Sequence, residues 1–405
     1  MKPTVVMKFG GSSVADVARI QTVADRIVTA AHAGRRVVAV VSAMGKTTDQ
    51  LMRLAHEVTA EPDRRELDML LTAGERIAMA LVAMAVRARG LPATSLTGSQ
   101  CGILTNDCPG GARIVEVRPF RVQDALDAGH VVIVAGFQGV SWRREVTTLG
   151  RGGSDTTAVA LAAALDAESC EIYSDVAGVF SGDPKIVLDA QRLDSLTHDE
   201  LLELARAGAK VLAADAVAYA RMHGVALYAR ATGGAGETVV RKDLPRARPG
   251  FVGVAVRPSA TLVRVDVAGV PSIEAGLASV HVVPLVAADA GDGSATLLFA
   301  RDPADTVDPA FDRACSAAIQ SAGAAVRHVA TGTLVSVVGP AVGREPGLLA
   351  AFREEALLAG ALRGGHVIAH GMTLSALVEP TQADSLAMAL HARFVAGDLA
   401  SGRPA

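Results

Sequence analysis

Short, mostly apolar runs alternate with segments of helical spacing over the first two-thirds of the chain. The runs predict strands at residues 5–9, 37–41, 131–135 and 171–174. Apolar positions across 17–27 are spaced as on one helix face, an Ala-rich helix is predicted at 152–165, and Thr197 with Glu200 fits a capping box. Apolar strands that alternate with helices are typical of a mostly parallel sheet covered on both faces. We therefore expect an α/β fold with an open sheet sandwiched by helices.

The pattern changes at residues 245–250, where two prolines and a glycine stand among charged residues, as in a linker. Beyond it, half-exposed strands are predicted at 262–267 and 334–338, a further strand at 373–378, and helices at 346–358 and 382–394. The similar strands at 262–267 and 334–338 begin about 70 residues apart, and this repetition predicts a tandem pair of small α+β units. The predicted domains are 1–244, a linker at 245–250, the tandem pair at 251–398 and a flexible tail at 399–405.

The composition of the 405 residues suits two or three globular domains, since 50% of them are hydrophobic and only 20% are charged. A formal net charge of −3 offers no basic surplus for nucleic acid, and an aromatic content of 3% argues against stacking on single strands. We find no uninterrupted apolar run of the roughly 18 residues that a membrane span needs. The first residues lack a signal-peptide pattern, so we expect a cytoplasmic protein without nucleic-acid or membrane partners.

Two glycine-rich turns precede predicted helices, each with a cation and hydroxyl groups beside it. The first is Lys8-Phe9-Gly10-Gly11-Ser12-Ser13, and the second is Gly150-Arg151-Gly152-Gly153-Ser154-Asp155-Thr156-Thr157. Glycine lets backbone N–H groups approach an anion closely, and the start of a helix adds partial positive charge. A single turn of this kind is more often only a tight connection. Two of them, each with its own cation, favour phosphate binding.

Three further polar segments are candidates for ligand contacts. Ser42–Asp49 follows a predicted buried strand, where open parallel sheets bind ligands, although Thr47 or Thr48 as a helix N-cap explains the segment equally well. Glu75 stands within a mainly apolar helix, where a solvated charge is the usual explanation. The Gly- and Pro-containing segment 174–185 would by itself be an ordinary loop.

Taken together, these segments resemble the aspartate kinases, which have the amino-acid kinase fold. The matching segments are Lys8–Val14, Val41–Asp49, Leu71–Arg76, Val134–Gly139, Thr147–Thr157 and Ser174–Lys185. Their order and spacing also match, over residues 3–240, and the sibling kinases of acetylglutamate, glutamate, carbamate or UMP do not share this combination. The region after residue 250 is similar, more loosely, to the paired ACT regulatory domains of the family.

The resemblance implies an activity, the ATP-dependent phosphorylation of the β-carboxylate of L-aspartate to 4-phospho-L-aspartate. The implied catalytic residues are Lys8, Gly10, Gly11, Ser12 and Arg151. The implied substrate-binding residues are Thr47, Glu75, Arg151, Gly153, Ser154 and Asp155. The implied nucleotide-binding residues are Lys8, Gly10, Gly11, Ser174, Asp175, Phe180, Asp183, Lys185 and Lys210. The resemblance also implies ATP and Mg²⁺ as cofactors, no metal site built from protein side chains, and a homodimer formed through the ACT-like domains.

The chain departs from the family pattern at three places. Ala177 stands where the family often has an aspartate, and Asp215 stands where many members carry a basic residue. The first ACT-like unit looks eroded, because its helix after Pro271 is predicted to have about two turns at most and segment 286–295 consists mostly of small residues. We therefore expect weak or absent feedback inhibition by lysine plus threonine.

Two other functions compete with this interpretation. One is a kinase of another amino-acid carboxylate, against which the combination of Thr47, Glu75, Arg151 and Asp155 argues. The other, from a different class, is a catalytically silent regulatory subunit or amino-acid sensor that retains the ACT pair. The intact Lys8 and Arg151 motifs and the eroded first ACT-like unit oppose it.

Overall fold

The computed structural model describes residues 2–150, 152–242, 244, 250–278, 284–289, 292–300, 310–359 and 367–396. The chain divides into two compact units. The first comprises Met1–Val179, Arg192–Leu201 and Val211–Leu244, and the second comprises Phe180–Gln191, Leu202–Lys210 and Pro245–Ala405. The last change of unit along the chain falls between Leu244 and Pro245. Two shorter segments within the predicted N-terminal domain also belong to the second unit.

Twelve strands and seven helices precede Leu244 in the described part of the chain. The strands are β1 (Thr4–Phe9), β2 (Arg36–Val41), β3 (Ala93–Leu96), β4 (Ile103–Thr105), β5 (Ile114–Val117), β6 (Val131–Ala135), β7 (Gln138–Ser141), β8 (Val146–Thr148), β9 (Ser169–Ser174), β10 (Ser195–Leu196), β11 (Leu227–Ala231) and β12 (Glu237–Val240). The helices are α1 (Val17–His32), α2 (Thr47–Val58), α3 (Arg64–Arg87), α4 (Phe120–Asp127), α5 (Gly153–Ala164), α6 (His198–Ala207) and α7 (Ala214–His223).

The main sheet of the first unit has eight strands in the order β10-β12-β11-β9-β1-β2-β6-β3. All neighbouring strands are parallel except β11 and β12. A separate four-stranded sheet has the order β5-β4-β7-β8. Because β1, β2, β6 and β9 run in parallel, the segments that follow them emerge at one edge of the main sheet. The predicted open, mostly parallel sheet is confirmed.

Helices cover both faces of the main sheet. Val5, Met7 and Phe9 of β1 join a buried apolar cluster with residues of α1 and α3. Side chains alternate along a strand, so Val6 and Lys8 point to the opposite face, where α5 packs against β1. The predicted capping box is also confirmed, since Glu200 Oε2 accepts from the Thr197 N–H at 2.8 Å and Thr197 Oγ1 accepts from the Glu200 N–H at 3.2 Å.

Helix α3 is, among the described helices, long and apolar enough to cross a membrane by length and composition alone. However, 50% of its most apolar stretch is buried inside the protein. The helix packs against α1, β3, β6 and β8. These contacts are those of a core helix.

The second unit repeats one order of elements, with a strand, a helix, two strands and a helix in each half. The first half comprises β13 (Gly253–Asp266), α8 (Val270–Ala278), β14 (Val286–Asp289), β15 (Ser294–Ala300) and α9 (Ala310–Ala322). The second half comprises β16 (Val326–Val338), α10 (Leu348–Leu358), β17 (Val367–His370), β18 (Thr373–Val378) and α11 (Ala383–Leu390), which continues as a π-helical turn, His391–Ala396. All six strands form one antiparallel sheet in the order β14-β15-β13-β16-β18-β17. This β-rich region fits the predicted pair of ACT-like units.

The first helix of the ACT-like pair is longer than the sequence suggested. Helix α8 has nine residues against eleven in α10, and nine residues make about two and a half turns. The predicted limit of two turns is therefore wrong by a small margin. Helix α8 packs closely on α9, since a Cβ at Gly276 would lie 2.5 Å from the Ala318 Cβ. The predicted apolar run before Leu285 lies largely outside the described residues, as do the linker at 245–249 and the tail at 399–405.

Candidate active site

A partly buried ion pair joins the first strand to helix α5. Lys8 stands near the carboxyl end of β1 on the face that α5 covers, and Asp155 lies in the first turn of that helix. Lys8 Nζ is 2.5 Å from Asp155 Oδ1, and the two side chains are only 13% and 10% exposed. Asp155 Oδ2 also accepts from the Ala213 N–H at 3.4 Å. The structure thus brings together a catalytic and a substrate-binding candidate that are far apart in the sequence.

The first glycine turn lies directly beside this ion pair. A Cβ on Gly10 would lie 3.5 Å from Lys8 Nζ, which places the ammonium group next to the turn. A Cβ on Gly11 would lie 2.9 Å from the Ala43 carbonyl oxygen and 3.1 Å from that of Gly45. Gly11 is therefore required by the close approach of two backbones rather than by its dihedral angles. Ser12, which follows, is exposed.

Buried hydroxyl groups join this turn to the end of β9. Ser13 Oγ lies 2.6 Å from Thr232 Oγ1, and Thr232 Oγ1 donates to the Ser174 carbonyl oxygen at 3.1 Å. The Gly10 N–H also donates to the Tyr173 carbonyl oxygen at 3.2 Å. Ser13 and Thr232 were not predicted as site residues. Ser13 is part of the first glycine-rich motif, but nothing in the sequence pairs it with a threonine 219 positions away.

Glu75 is buried against the turn that follows β2. Its Oε1 accepts from the Ala43 N–H at 3.1 Å, whereas its Oε2 is buried and has no hydrogen-bond partner within the described part of the chain. The side chain is 3% exposed, and burial raises the pKa of Glu75 to about 7. A half-satisfied buried carboxylate can take a cationic partner, for which an ammonium group is suited.

Thr47 and Gly74 shape the same corner. Thr47 begins α2, and its Oγ1 donates to the Met44 carbonyl oxygen at 2.6 Å. The N-cap residue is Lys46, without a side-chain cap bond, so the N-cap alternative for Thr47 or Thr48 is wrong. A Cβ on Gly74 would lie 2.8 Å from the Ala43 Cβ and 3.5 Å from Thr47 Cγ2. Gly74 therefore lets α3 approach the turn closely. The Gly45 N–H donates to the Gly11 carbonyl oxygen at 3.0 Å, which joins this corner to the first glycine turn.

The second glycine turn forms the start of α5. Gly152 has a φ of +72°, and a Cβ there would lie 2.1 Å from the Ala213 Cβ, so both conformation and space require glycine. Gly153 and Ser154 are buried in the first turn of the helix, and a Cβ on Gly136 would lie 2.7 Å from Ser154 Oγ. Arg151 lies outside the described residues, and its assigned role stays a prediction.

Helix α3 carries a second buried carboxylate, Asp68, which is not among the predicted site residues. Its Oδ1 accepts from Thr148 Oγ1 at 2.6 Å, and its Oδ2 accepts from the N–H groups of Thr148 and Gly110 at 3.0 Å. Burial raises the pKa of Asp68, and these hydrogen bonds oppose the rise. Asp68 thereby holds the end of β8 just before the second glycine turn. Its seven-residue spacing from Glu75 places both on one helix face, which is the signal that could have revealed it.

The nucleotide-binding candidates divide between the two units. Ser174 and Asp175 belong to the first unit, where the Ser174 carbonyl oxygen also accepts the Thr232 N–H at 2.9 Å. Those in the second unit are Phe180, Asp183, Lys185 and Lys210. Within it, Phe180 is half-buried, whereas Asp183, Lys185 and Lys210 are exposed. Asp215, a departure from the family pattern, lies exposed in the first turn of α7, where a negative charge is favourable.

A separate cavity of about 510 Å³ lies on the sheet face that carries Met7 and Tyr173. Its charged groups satisfy one another: Glu171 accepts from Arg35 at 3.1 Å, from Arg230 at 2.7 Å and from the Tyr173 hydroxyl at 2.7 Å. We interpret this cluster as structural, because its buried carboxylate is fully paired.

The Lys8 edge of the sheet has the features of an anion site. It combines an ammonium group, two glycine turns, and the start of α5. No group of three or more His, Cys, Asp or Glu side chains that could hold a metal ion occurs among the described residues.

Known proteins resemble this chain in sequence. The family model described as the amino acid kinase family matches residues 3–228. The aspartokinase of Mycobacterium tuberculosis is 44% identical, over 97% of this chain and 96% of that protein. The aspartokinase of Corynebacterium glutamicum is 58% identical over 56% of this chain and 54% of that protein.

Solved structures share the fold over nearly the whole chain. Escherichia coli aspartokinase III in complex with aspartate and ADP, in its R-state, has a TM-score of 0.80 at 24% identity and covers 96% of this chain and 99% of that one. The aspartate kinase from Synechocystis has a TM-score of 0.55 at 33% identity and covers 96% of this chain and 69% of that one.

Proposed function

This chain belongs to the aspartokinases of the amino acid kinase family, and from that premise we propose that it transfers the γ-phosphoryl group of ATP to the β-carboxylate of L-aspartate, yielding 4-phospho-L-aspartate and ADP. The product is a mixed anhydride, activated for later steps toward the aspartate-derived amino acids lysine, threonine and methionine. We further propose that the reaction takes place in the cytoplasm.

Recognition of aspartate is assigned to the corner formed by the 43–47 turn and α3. Glu75 Oε2 has no hydrogen-bond partner among the described residues, which supports binding of the substrate ammonium group there. An opposite charge at this position lowers the pKa of Glu75, so the carboxylate becomes charged when aspartate binds. Thr47 lines the same corner, and the proposed partner of the α-carboxylate is Arg151, whose planar fork can bind both oxygens.

Phosphoryl transfer requires alignment and charge neutralisation rather than a general base. A carboxylate with an ordinary pKa of about 3.9 is ionised at neutral pH, so an oxygen of the substrate β-carboxylate can attack the γ-phosphorus directly. The new P–O bond forms as the bond to the β–γ bridging oxygen breaks, and ADP leaves with that electron pair. Lys8 and the backbone N–H group of Gly11 would stabilise the charge on the transferring group, whereas the Gly10 N–H donates to the Tyr173 carbonyl oxygen.

The nucleotide is proposed to enter as MgATP. The complex of Escherichia coli aspartokinase III with aspartate and ADP supports nucleotide binding in this fold. The proposed contacts of the nucleotide are Ser174, Asp175, Phe180, Asp183, Lys185 and Lys210. The magnesium ion supplies charge neutralisation on the phosphates.

One observation carries the proposal: the Lys8–Asp155 ion pair lies beside a glycine turn that is hydrogen-bonded to the Glu75 corner. The test is to incubate the pure protein with MgATP, hydroxylamine and either L-aspartate or L-glutamate. We expect aspartyl hydroxamate from the first mixture only. Folded protein that forms no hydroxamate from aspartate, or forms it faster from glutamate, would contradict the proposal.

The ACT-like half is proposed to form a homodimer. Leu349, Leu357 and Leu358 of α10 and Met388 of α11 are exposed apolar side chains that a second copy could cover. Light scattering should give twice the chain mass of 41.4 kDa, and Leu357→Glu with Leu358→Glu should give the monomer mass. A wild-type protein with the monomer mass at assay concentration would refute this part.

A further inference from the structure

Residues 180–187, which we call the nucleotide segment, belong to the second unit and contact its sheet. The segment carries three of the proposed nucleotide contacts, Phe180, Asp183 and Lys185. The Val254 N–H of β13 donates to the Ser181 carbonyl oxygen at 2.8 Å, and a Cβ on Gly253 would lie 2.7 Å from the same oxygen. The Ser181 N–H donates to the Gln191 carbonyl oxygen at 2.9 Å. These contacts attach the start of the segment to the sheet of the ACT-like unit.

A buried hydrogen bond joins the same serine to the C-terminal helix. Ser181 Oγ lies 2.8 Å from His391 Nε2, with both residues at most 2% exposed and 210 positions apart in the chain. The Gln191 N–H donates to Ser181 Oγ at 3.0 Å, so the single hydroxyl proton can be donated to Nε2 of a neutral His391. Burial lowers the pKa of His391, against a smaller opposing effect of Asp189, and so favours the neutral imidazole.

His391 is held in place by the packing of the residues around it. It begins the π-helical turn that follows α11, and Leu390, Phe394 and Val395 are buried in the apolar core of the ACT-like unit. The Phe394 ring packs on Phe251, with ring centroids 5.3 Å apart. Since this core is close-packed, the imidazole cannot shift without displacing its neighbours.

The rest of the nucleotide segment is folded tightly behind Ser181. Gly182 packs closely on its neighbours, since a Cβ there would lie 3.1 Å from Val187 Cγ2 and 3.6 Å from His391 Cδ2. Asp183 Oδ1 accepts from the Lys185 N–H at 2.9 Å, and the Asp183 carbonyl oxygen accepts from the Val187 N–H at 2.8 Å. The conformation that displays Asp183 and Lys185 to solvent therefore depends on the anchor at Ser181.

We propose that Ser181 and His391 are positioning residues for the nucleotide. Their hydrogen bond holds the nucleotide segment in the conformation in which Asp183 and Lys185 bind MgATP, and the C-terminal helix of the ACT-like unit thereby sets the affinity of the enzyme for nucleotide. The inference rests on the proposed function, because that function assigns these two residues to the nucleotide. The competing explanation is a buried polar pair that only stabilises the second unit.

The test compares Ser181→Ala and His391→Leu with the control Ser336→Ala. Ser336 forms a buried hydroxyl pair with Ser375 at 2.8 Å in the sheet of the same unit, away from the nucleotide segment in sequence. We expect both test variants to weaken MgADP binding in calorimetry, and to raise KM for MgATP, by about three- to tenfold, as the ordered segment becomes a minor state. KM for aspartate should change less than about twofold, because the substitutions act on the nucleotide segment and not on the proposed aspartate contacts.

The control separates positioning from stability. Ser336→Ala is expected to lower the melting temperature as Ser181→Ala does and to leave MgADP affinity unchanged. A Ser181→Ala protein with lowered melting temperature and wild-type MgADP affinity would overturn the proposal. If Ser181→Ala does not fold, His391→Gln, which can restore a hydrogen bond, should bind MgADP more tightly than His391→Leu, and equal affinities would overturn the proposal. Wild-type protein that binds MgADP but forms no phosphoaspartate would refute the proposed function and leave this comparison intact.

Discussion

Lys8 and Asp155 form the ion pair on which the chemistry of the proposed site depends. In the absence of substrate each group neutralises the other at 2.5 Å, with little exposure to solvent. An arriving phosphoryl group would compete with Asp155 for the same ammonium group. The pair thus keeps a cation in place beside the first glycine turn before the nucleotide is bound.

Lys8→Ala should therefore reduce turnover far more than folding stability. We expect kcat to fall by about 10²- to 10³-fold, as when one charge-stabilising donor is removed from an active site. The unfolding free energy should fall by only about 1–3 kcal/mol, for the carboxylate left without its partner. Steady-state kinetics and urea unfolding measure the two effects, with the exposed Lys242→Ala as control. A kcat within tenfold of wild type would contradict the role of Lys8.

Glu75 should make the stability of the ligand-free protein depend on pH. Its pKa is raised from an ordinary 4.5 to about 7, so its contribution is fully present below pH 4.5 and is lost as pH rises through 7. Between pH 4.5 and 8, the free energy of unfolding of the wild type should fall by about 3 kcal/mol relative to that of Glu75→Gln, at about 1.4 kcal/mol per pKa unit. Urea unfolding of both proteins across this range measures it.

Saturating aspartate provides the control for Glu75. If the substrate ammonium group pairs with this carboxylate, aspartate should abolish most of the difference between wild type and Glu75→Gln above pH 7. In kinetics, kcat/KM for aspartate should decline below pH 7 in the wild type and lack that acidic limb in Glu75→Gln. An identical pH profile for both proteins would show that Glu75 does not act on the substrate.

Between elements, the approach of α3 to the 43–47 turn is the contact that shapes the substrate corner. Alanine usually stabilises a helix interior by about 1 kcal/mol relative to glycine. Gly74→Ala should do the opposite, since its Cβ would lie 2.8 Å from the Ala43 Cβ and overpacking costs about 1–3 kcal/mol. We expect lower stability and a larger rise in KM for aspartate than for MgATP.

Gly233→Ala is the matched control, because a Cβ there meets no atom within 4 Å. It should change neither stability nor either KM appreciably. Thermal unfolding and two-substrate kinetics distinguish the variants. A more stable Gly74→Ala protein with unchanged kinetics would mean that α3 and the turn separate freely and that their contact does not shape the site.

The sequence predicted the cap of α6 correctly but not the length of α8. The capping box of α6 follows from four consecutive residues, so it could be predicted and is confirmed by the reciprocal bonds of Thr197 and Glu200. Helix α8 is longer than its sequence indicates, because it packs closely on α9 at Gly276 and Ala318. That contact joins distant residues and has no local signal in the sequence.

At the level of the whole molecule, the ACT-like part of the chain raises the question of feedback inhibition by lysine plus threonine. Because the first ACT-like unit retains a helix of nine residues, its departure from the family pattern lies more in side chains than in architecture. We maintain the proposal of weak or absent feedback inhibition. Lysine plus threonine at about 1 mM each should reduce aspartate kinase activity less than about twofold, which corresponds to binding no stronger than about −4 kcal/mol.

Inhibition is measured with aspartate near its KM, where a competing conformational state has its largest effect. The proposal is wrong if the two amino acids together inhibit strongly well below 1 mM. Lysine or threonine alone serves as the comparison, and an inert amino acid of the same charge controls for ionic effects.

The amino-acid sequence alone determined the elements and the kind of chemistry. Strands, helices and glycine turns depend on neighbours within a few residues, so the local order of side chains predicts them. The tandem ACT-like pattern follows from the repetition of such local patterns about 70 residues apart. The residues at the Lys8 edge followed from the resemblance, and Lys8, Gly11, Glu75 and Asp155 are the members that the structure brings into one connected corner.

Only the tertiary structure decided which distant residues meet. The partners Ser13 and Thr232 are 219 positions apart, and Ser181 and His391 are 210 positions apart, so no local pattern links them. The structure also decided that residues 180–191 belong to the second unit despite their place in the N-terminal part of the chain. Such pairings depend on the order of strands in the sheets and on desolvation in the folded state, which a single sequence does not encode locally.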